Sequence, residues 1–500
     1  MLRKTKIFLV IALAFIMSIT TIPIAHADDE PEILATEAAI TKLLLVPHGT
    51  TLPNVTFEFE VEAFSFNSVD KNYSYDSDTS TSNMPLINVD AYSTVEENKT
   101  IRESGKGIIP ISFPEDGSAS KYSSVKTVKG TDFYYLESSS LFKDAVFLEA
   151  GVYTYNITER DSTYDIEDNN HETLKYSRAL YTVKVYVVNN DGNFEIVFIG
   201  VTEDIDDNGD AINRIVKVDP TPGGPKDDGS GNTGGNTGNT GSDDPTVGPF
   251  SKMMFTNRYF KTNGIYNPDI PYDIDPNTPE EEDFKDLKIS TLEISKKIGG
   301  AFSSPNKYFS FSLTLSEPEL FSDLIKGPYK AFIIDETSTD SGVYTLVAAS
   351  EASKNGAAAG TNYIEFLLDT SKSFSIKHNQ KLVFIDTPVG ISYEVTEAGS
   401  IGYVPTATIS YNGLTNAEIS GALNEHLVLN PRIAINEKTF AEYLYVGEAD
   451  SSVRFHNEAD SITPTGLNLN DLPFIGLLAL GLGAFIVFVV VKSRKKNRYD

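Results

Sequence analysis

The chain has 500 residues, a net charge of −29, no cysteine, no tryptophan and six histidines. Its length exceeds one ordinary domain and predicts two or three. The acidic balance argues against nucleic acid or an anionic membrane surface as a partner. The missing cysteines exclude a disulfide framework, and scattered histidines without HExxH or a Cys/His cluster leave no metal set or other cofactor to expect.

Residues 1–27 open with Arg3, Lys4 and Lys6, continue through the apolar run IFLVIALAFIM and end in Ala25-His26-Ala27. This is the pattern of a secretory signal, so the mature chain is expected to begin near Asp28. A first domain is expected over 28–262. Its segments AAITKLLLV (38–46), GVYTYNITE (151–159), YTVKVYVV (181–188), NFEIVFIG (193–200) and MMFTNRY (253–259) alternate apolar and polar residues as strands do. Asn189-Asn190-Asp191-Gly192 predicts a hairpin turn between the third and fourth of these.

The stretch Asp204-x-Asp206-x-Asn208-Gly209 begins like a calcium loop. It has Ile215 where a bidentate glutamate is required, so a second hairpin turn is expected instead. Residues 219–247, rich in Gly, Asn and Thr, predict a disordered insertion within the domain. The acidic, Pro-rich 263–286 reads as a linker. A second domain is expected over 287–460, with TLEISKKIG (291–299), ISYEVTE (391–397) and SVRFHNE (452–458). No long helical period occurs between the termini, which predicts an all-β fold.

Residues 461–500 contain Thr463-Pro464-Thr465-Gly466, an uncharged apolar run at 472–491 and a basic tail at 492–498. The run is long enough to span a bilayer, with the tail left in the cytoplasm.

The two domains repeat one series: an apolar strand with Lys, an aromatic strand with Glu, and a last strand with Asn. Strand alternation puts Lys42 on the face of Ile40, Leu44 and Val46, and Glu159 on that of Tyr153, Tyr155 and Ile157. Asn257 shares a face with Met253, Phe255 and Tyr259. In the second domain Lys296 falls with Leu292, Ile294 and Ile298 while Lys297 points away, Glu397 falls with Ile391, Tyr393 and Val395, and Asn457 with Val453 and Phe455.

Singly, such a lysine snorkels to solvent, such a glutamate sits at a rim and such an asparagine caps a turn. A buried Lys–Glu ion pair is a further explanation, although it leaves the asparagine unused. Recurrence in the same order and phase favours a third. Burial shifts a Lys–Glu pair toward its neutral forms, the free amine attacks the asparagine amide, and the protonated glutamate shuttles protons as ammonia leaves. The product is an intramolecular isopeptide bond, formed once per domain without turnover. No nucleophile elbow or P-loop points to an enzyme.

The segments ITKLLLVPHGTTLPNVTFEFEV, GVYTYNITE, YTVKVYVVNNDG and FTNRY, with LEISKKIGG, KYFSFSLTL, ISYEVTE and RFHNE, resemble the Gram-positive pilin family with streptococcal-type isopeptide linkage domains. The resemblance spans most of 35–460. It implies two tandem immunoglobulin-like (Cna B-type) β-sandwiches. Their crosslinks would join Lys42 to Asn257 through Glu159, and Lys296 to Asn457 through Glu397. By the same resemblance, Thr463-Pro464-Thr465-Gly466 with the apolar run and the basic tail is similar to a sortase sorting signal, with Thr463 where the consensus has Leu.

Cleavage after Thr465 would join the chain to peptidoglycan or to a neighbouring pilin subunit; a retained membrane anchor is the alternative. Two roles stay open, a pilin subunit and a monomeric wall-anchored adhesin for a host or matrix ligand. The stretch FIGVTEDID (198–206), where related shaft subunits carry an acceptor lysine, has none.

Overall fold

A computed structural model describes residues 35–68, 106–113, 126–128, 130–143, 145–161, 163–164, 172–223, 250–261, 290–336, 344–431, 434–435, 438–439, 444–459 and 472–496. The expected signal segment, most of the Gly/Asn/Thr-rich insertion, the linker and Thr463–Gly466 lie outside the described residues.

The first domain is a sandwich of two sheets. One holds, in order, β4 (Lys126–Val128), β5 (Thr131–Glu137), β1 (Thr41–Pro47), β11 (Met254–Lys261) and β7 (Glu172–Lys175). The other holds β10 (Ala211–Val218), β9 (Asn193–Ile205), β8 (Leu180–Asn190), β6 (Gly151–Glu159), β2 (Val55–Ser68) and β3 (Lys106–Phe113).

The second domain repeats the plan with a larger sheet. Its order is β15 (Tyr344–Leu346), β14 (Tyr329–Glu336), β18 (Gln380–Phe384), β12 (Leu292–Gly299), β25 (Ser451–Ala459), β20 (Tyr403–Tyr411) and β21 (Leu414–Ser420), with β16 (Tyr363–Phe366) also on β14. Facing it are β17 (Lys372–Ile376), β13 (Phe309–Ser316), β19 (Ser392–Glu397) and β22 (Leu427–Leu429). β23 (Ala434–Ile435) and β24 (Lys438–Thr439) form a short ribbon. The all-β expectation and its two-sandwich arrangement hold over the described residues.

Alternation explains the layers. In β2, Val55, Phe57, Phe59, Val61 and Ala63 are buried while the intervening Thr56, Glu58, Glu60 and Glu62 are not. Those residues meet Ile157, Tyr155, Phe255 and Leu44 in one core. β1 is buried at every position. Its alternate residues Leu43 and Leu45, with Phe133, Tyr135, Phe250 and Phe260, continue into the apolar cluster of the second domain.

In each domain the first and last strands pair in parallel, β1 with β11 and β12 with β25. Parallel neighbours need a crossover connection, and here the rest of the domain supplies it.

Both expected hairpins form. Asp191 and Gly192 adopt φ of 52° and 94° in the two-residue turn joining β8 to β9. This primed geometry matches the strand twist. At the β9–β10 turn the Asp206 carboxylate accepts the backbone N–H groups of Asn208 and Asp210, each at 2.9 Å, in a local turn. The insertion begins later than residue 219. Ala39 N–H donates to Pro220 O at 2.9 Å and Gly223 N–H to Glu137 Oε2 at 2.8 Å, so 219–223 still belong to the packed domain.

The domains meet at the end where β1 and β11 finish. Arg258 pairs with Asp323, and Lys261 with Glu448 at 2.8 Å. A Cβ on Gly390, whose φ is +83°, would lie 2.2 Å from the Pro47 Cβ. Only a glycine allows that approach.

The C-terminal segment forms a helix over Leu472–Lys496, covering the apolar run expected at 472–491. Counting only described side chains, no helix is long and apolar enough to cross a membrane. Side chains at 472–476, 479, 490–491 and 493–496 of this segment are outside that description, while its helical backbone is unbroken from 472 to 496.

Candidate crosslink sites

The six residues singled out by alternation converge into two clusters of three. In the first domain Lys42 and Asn257 come from the adjacent parallel strands β1 and β11. Lys42 lies opposite Phe255, and Leu44 lies opposite Asn257, so the two polar residues sit two positions out of register on one face. Glu159 reaches them from β6 in the facing sheet, where it pairs with Phe59 of β2. Lys42 Nζ is 2.8 Å from both Glu159 carboxylate oxygens, and Asn257 Nδ2 donates to Glu159 Oε1 at 2.7 Å. All three side chains are shielded from solvent: Lys42 and Asn257 are 0% exposed, as is the Glu159 side chain.

The second domain reproduces this position by position. Lys296 lies opposite Phe455 and Ile298 opposite Asn457, again two apart on parallel strands. Glu397 pairs with Phe311 of β13, as Glu159 does with Phe59. Lys296 Nζ is 2.6 Å from Glu397 Oε1, and Asn457 Nδ2 donates to the same oxygen at 2.7 Å. Lys297, adjacent in sequence, is more than half exposed and pairs with Glu336 at 3.2 Å.

Burial sets the electrostatics of both clusters. Loss of solvent disfavours the ammonium and pulls Lys42 and Lys296 each down to about 8, against the opposing pull of its glutamate. The same loss pushes Glu159 and Glu397 above the usual carboxylate range, again with the partner lysine opposing. Both shifts bring the neutral amine and carboxylic acid nearer in energy to the ion pair. An amine, a carboxyl group and a carboxamide are thus held together, shielded from solvent.

One part of the clusters was not singled out from sequence. Lys42 Nζ lies 4.5 Å from the Phe57 ring centre and 5.8 Å from Phe59; Lys296 Nζ lies 4.4 Å from Phe309 and 5.8 Å from Phe311. The shared signal is F-x-F in VTFEFEV and YFSFSL. These rings close the apolar wall and favour the residual ammonium by cation–π attraction. Thr463, Pro464, Thr465 and Gly466 are outside the described residues, so their geometry is not part of either cluster.

Over residues 38–208 the chain matches the family described as Spy0128-like isopeptide containing domain, and over 290–426 it matches a domain of unknown function. A curated protein of Streptococcus pyogenes serotype M1 called "Pilin" is 28% identical over 211 residues, covering 42% of this chain. The chain spans about half the length of that relative, 50%. Among solved structures, the major pilin of Streptococcus pyogenes aligns at 16% identity, covering 86% of this chain and 100% of that one, with a TM-score of 0.26. The T3.2 major pilin of the same species also aligns at 16%, covering 85% and 99%, with a TM-score of 0.27.

Proposed function

We propose that this chain, which is of the Gram-positive pilin type, is a structural surface subunit whose two domains each close an isopeptide bond, Lys42 to Asn257 and Lys296 to Asn457. The observation carrying this reading is that both buried Lys–Glu–Asn clusters recur with one strand offset and one pairing of the glutamate with a phenylalanine.

In each cluster the lysine passes a proton to the glutamate and its free amine adds to the asparagine Cγ. The glutamate then protonates the departing nitrogen, which leaves as ammonia. The reaction occurs once, so no turnover chemistry is assigned to the chain. On this reading the apolar helix holds the precursor in the membrane while a sortase cuts after Thr465 and transfers the chain to peptidoglycan or to a neighbouring subunit.

Intact-mass measurement of the mature chain tests the bonds. Each lost ammonia lowers the mass by about 17 Da, so two bonds predict a deficit of about 34 Da against the sequence. Lys296→Ala removes one such deficit after correction for the substitution, and Lys297→Ala removes none. A wild-type mass equal to the sequence mass refutes the crosslinks.

Assembly is tested separately by electrophoresis of wall extracts. A ladder of SDS-resistant multimers is expected of a polymerised subunit. One band alone would place the chain as a single anchored stalk.

A further inference from the structure

The geometry points to the backbone N–H of Ser177 as the oxyanion donor of the first-domain crosslink, held in place by Asp207. This deepens the crosslinking reading above and rests on it.

Ser177 lies in the connection between β7 and β8 and is buried. Its N–H donates to Asn257 Oδ1 at 2.6 Å. That bond orients the amide: Oδ1 faces the backbone donor, and Nδ2, the nitrogen that must leave, faces the Glu159 carboxylate.

The connection is pinned from the opposite side. Ser177 Oγ donates to Asp207 Oδ1 at 2.5 Å, the same oxygen accepts Thr256 N–H at 2.9 Å, and Arg178 N–H donates to Asp207 O at 3.1 Å. The β9–β10 turn thereby fixes the donor relative to β11, which carries the electrophile. In the second domain, among the described residues, no donor reaches Asn457 Oδ1.

The step balances with these groups alone. Lys42 in its ammonium form gives one proton to Glu159 and adds to Asn257 Cγ. The C=O electron pair moves to Oδ1, where the Ser177 N–H receives the negative charge. The pair then returns, the bond from Cγ to Nδ2 breaks, and Glu159 supplies the proton that lets ammonia leave. Glu159 recovers the surplus proton from the new amide nitrogen and ends as a neutral acid. Preorganised donors aimed at developing charge are among the largest contributors to acyl-transfer rates. Asp207 touches none of the reacting atoms and is a positioning residue.

The test follows both bonds in the full chain after a timed cell-free synthesis pulse, by mass spectrometry of the two crosslinked peptides. In wild type the Lys42–Asn257 bond is expected to close at least about tenfold faster than Lys296–Asn457. Ser177→Pro removes the N–H together with the Oγ tether, and is expected to slow the first bond on the order of 10²-fold, well beyond Ser177→Ala, while leaving the second unchanged.

Ser177→Ala and Asp207→Ala keep the N–H but release its tether, with slowing of about tenfold expected at the first bond alone. For Asp207→Ala the sign is diagnostic. The Asp207 charge raises the Lys42 pKa, so its loss through charge alone would favour the free amine and speed the reaction. Equal wild-type rates, a natively folded Ser177→Pro chain that closes its first bond at the wild-type rate, or alanine variants that slow neither bond would overturn the inference. A wild-type chain that forms neither bond would instead overturn the crosslinking reading beneath it.

Discussion

Glu159→Ala is expected to leave the first domain uncrosslinked and unfolded at 37 °C. Two losses coincide. The bond closes a loop of about 215 residues, for which the chain-entropy treatment of crosslinks gives about 5 kcal/mol. Truncating the glutamate also strands the buried Lys42 ammonium, a change that costs roughly 3–5 kcal/mol when one member of a buried pair is removed. Together, at about 8–10 kcal/mol, they are comparable to the whole 5–15 kcal/mol stability of an ordinary domain.

Lys42→Met separates the two terms. It abolishes the same bond but also removes the lysine that opposes the upward push of burial on Glu159, so the remaining carboxyl is driven further toward its neutral form. It should therefore keep the fold while losing about 5 kcal/mol. Intact mass and chemical denaturation of both variants check this. The idea fails if Glu159→Ala keeps the wild-type mass deficit and midpoint, or if Lys42→Met is the less stable of the two.

Under tension the expected contrast is larger still. The chain enters the first domain at β1 and leaves at β11, so pulling its ends shears two parallel neighbours past each other. With the bond in place, force passes from Lys42 directly to Asn257, and neither the hydrogen bonds of β1 beyond Lys42 nor the other strands carry it. Single-molecule stretching should therefore show no lengthening from this domain at forces that open ordinary sandwiches. Lys42→Met should open and release up to about 75 nm, the extended length of the bypassed residues at about 3.5 Å each. A wild-type chain that releases that length would refute the bypass.

Much of this was legible in strand alternation, which is sharp in β2 and β8 with one buried and one wet face, although β1 is buried at every position. That rule placed Lys42, Glu159 and Asn257 inward, and chose Lys296 over Lys297 from two adjacent lysines. It located both hairpins around Asp191-Gly192 and Asp206–Gly209, since those turns depend on local backbone preference.

What alternation could not supply was distance between strands remote in sequence. The two-residue offset between Lys42 and Asn257 is a property of parallel pairing across the whole domain. Ser177 was equally invisible, because the donor it presents is a backbone N–H that any residue but proline provides and its Oγ tether to Asp207 joins segments remote in sequence. Leu43 and Leu45, on the other face of β1, carried an apolar signal whose meaning required the second domain to cover it. Asp219, Pro220 and Gly223 have loop composition, yet their backbone groups bond to the sandwich, Asp219 O and Pro220 O accepting from Lys252 N–H and Ala39 N–H and Gly223 N–H donating to Glu137.

The parallel pairing of first and last strands has a further consequence for shape. A domain closed by antiparallel terminal strands has entry and exit at the same pole, and a second such domain can double back beside it. Here the poles are opposite in each domain, and the junction lies where β1 and β11 both end, at Pro47 and Lys261. The second domain is joined there by the end that holds Gly390 and Glu448, so the axis continues instead of reversing. Length then adds from domain to domain along one line, and a chain built this way gains reach in proportion to its number of modules.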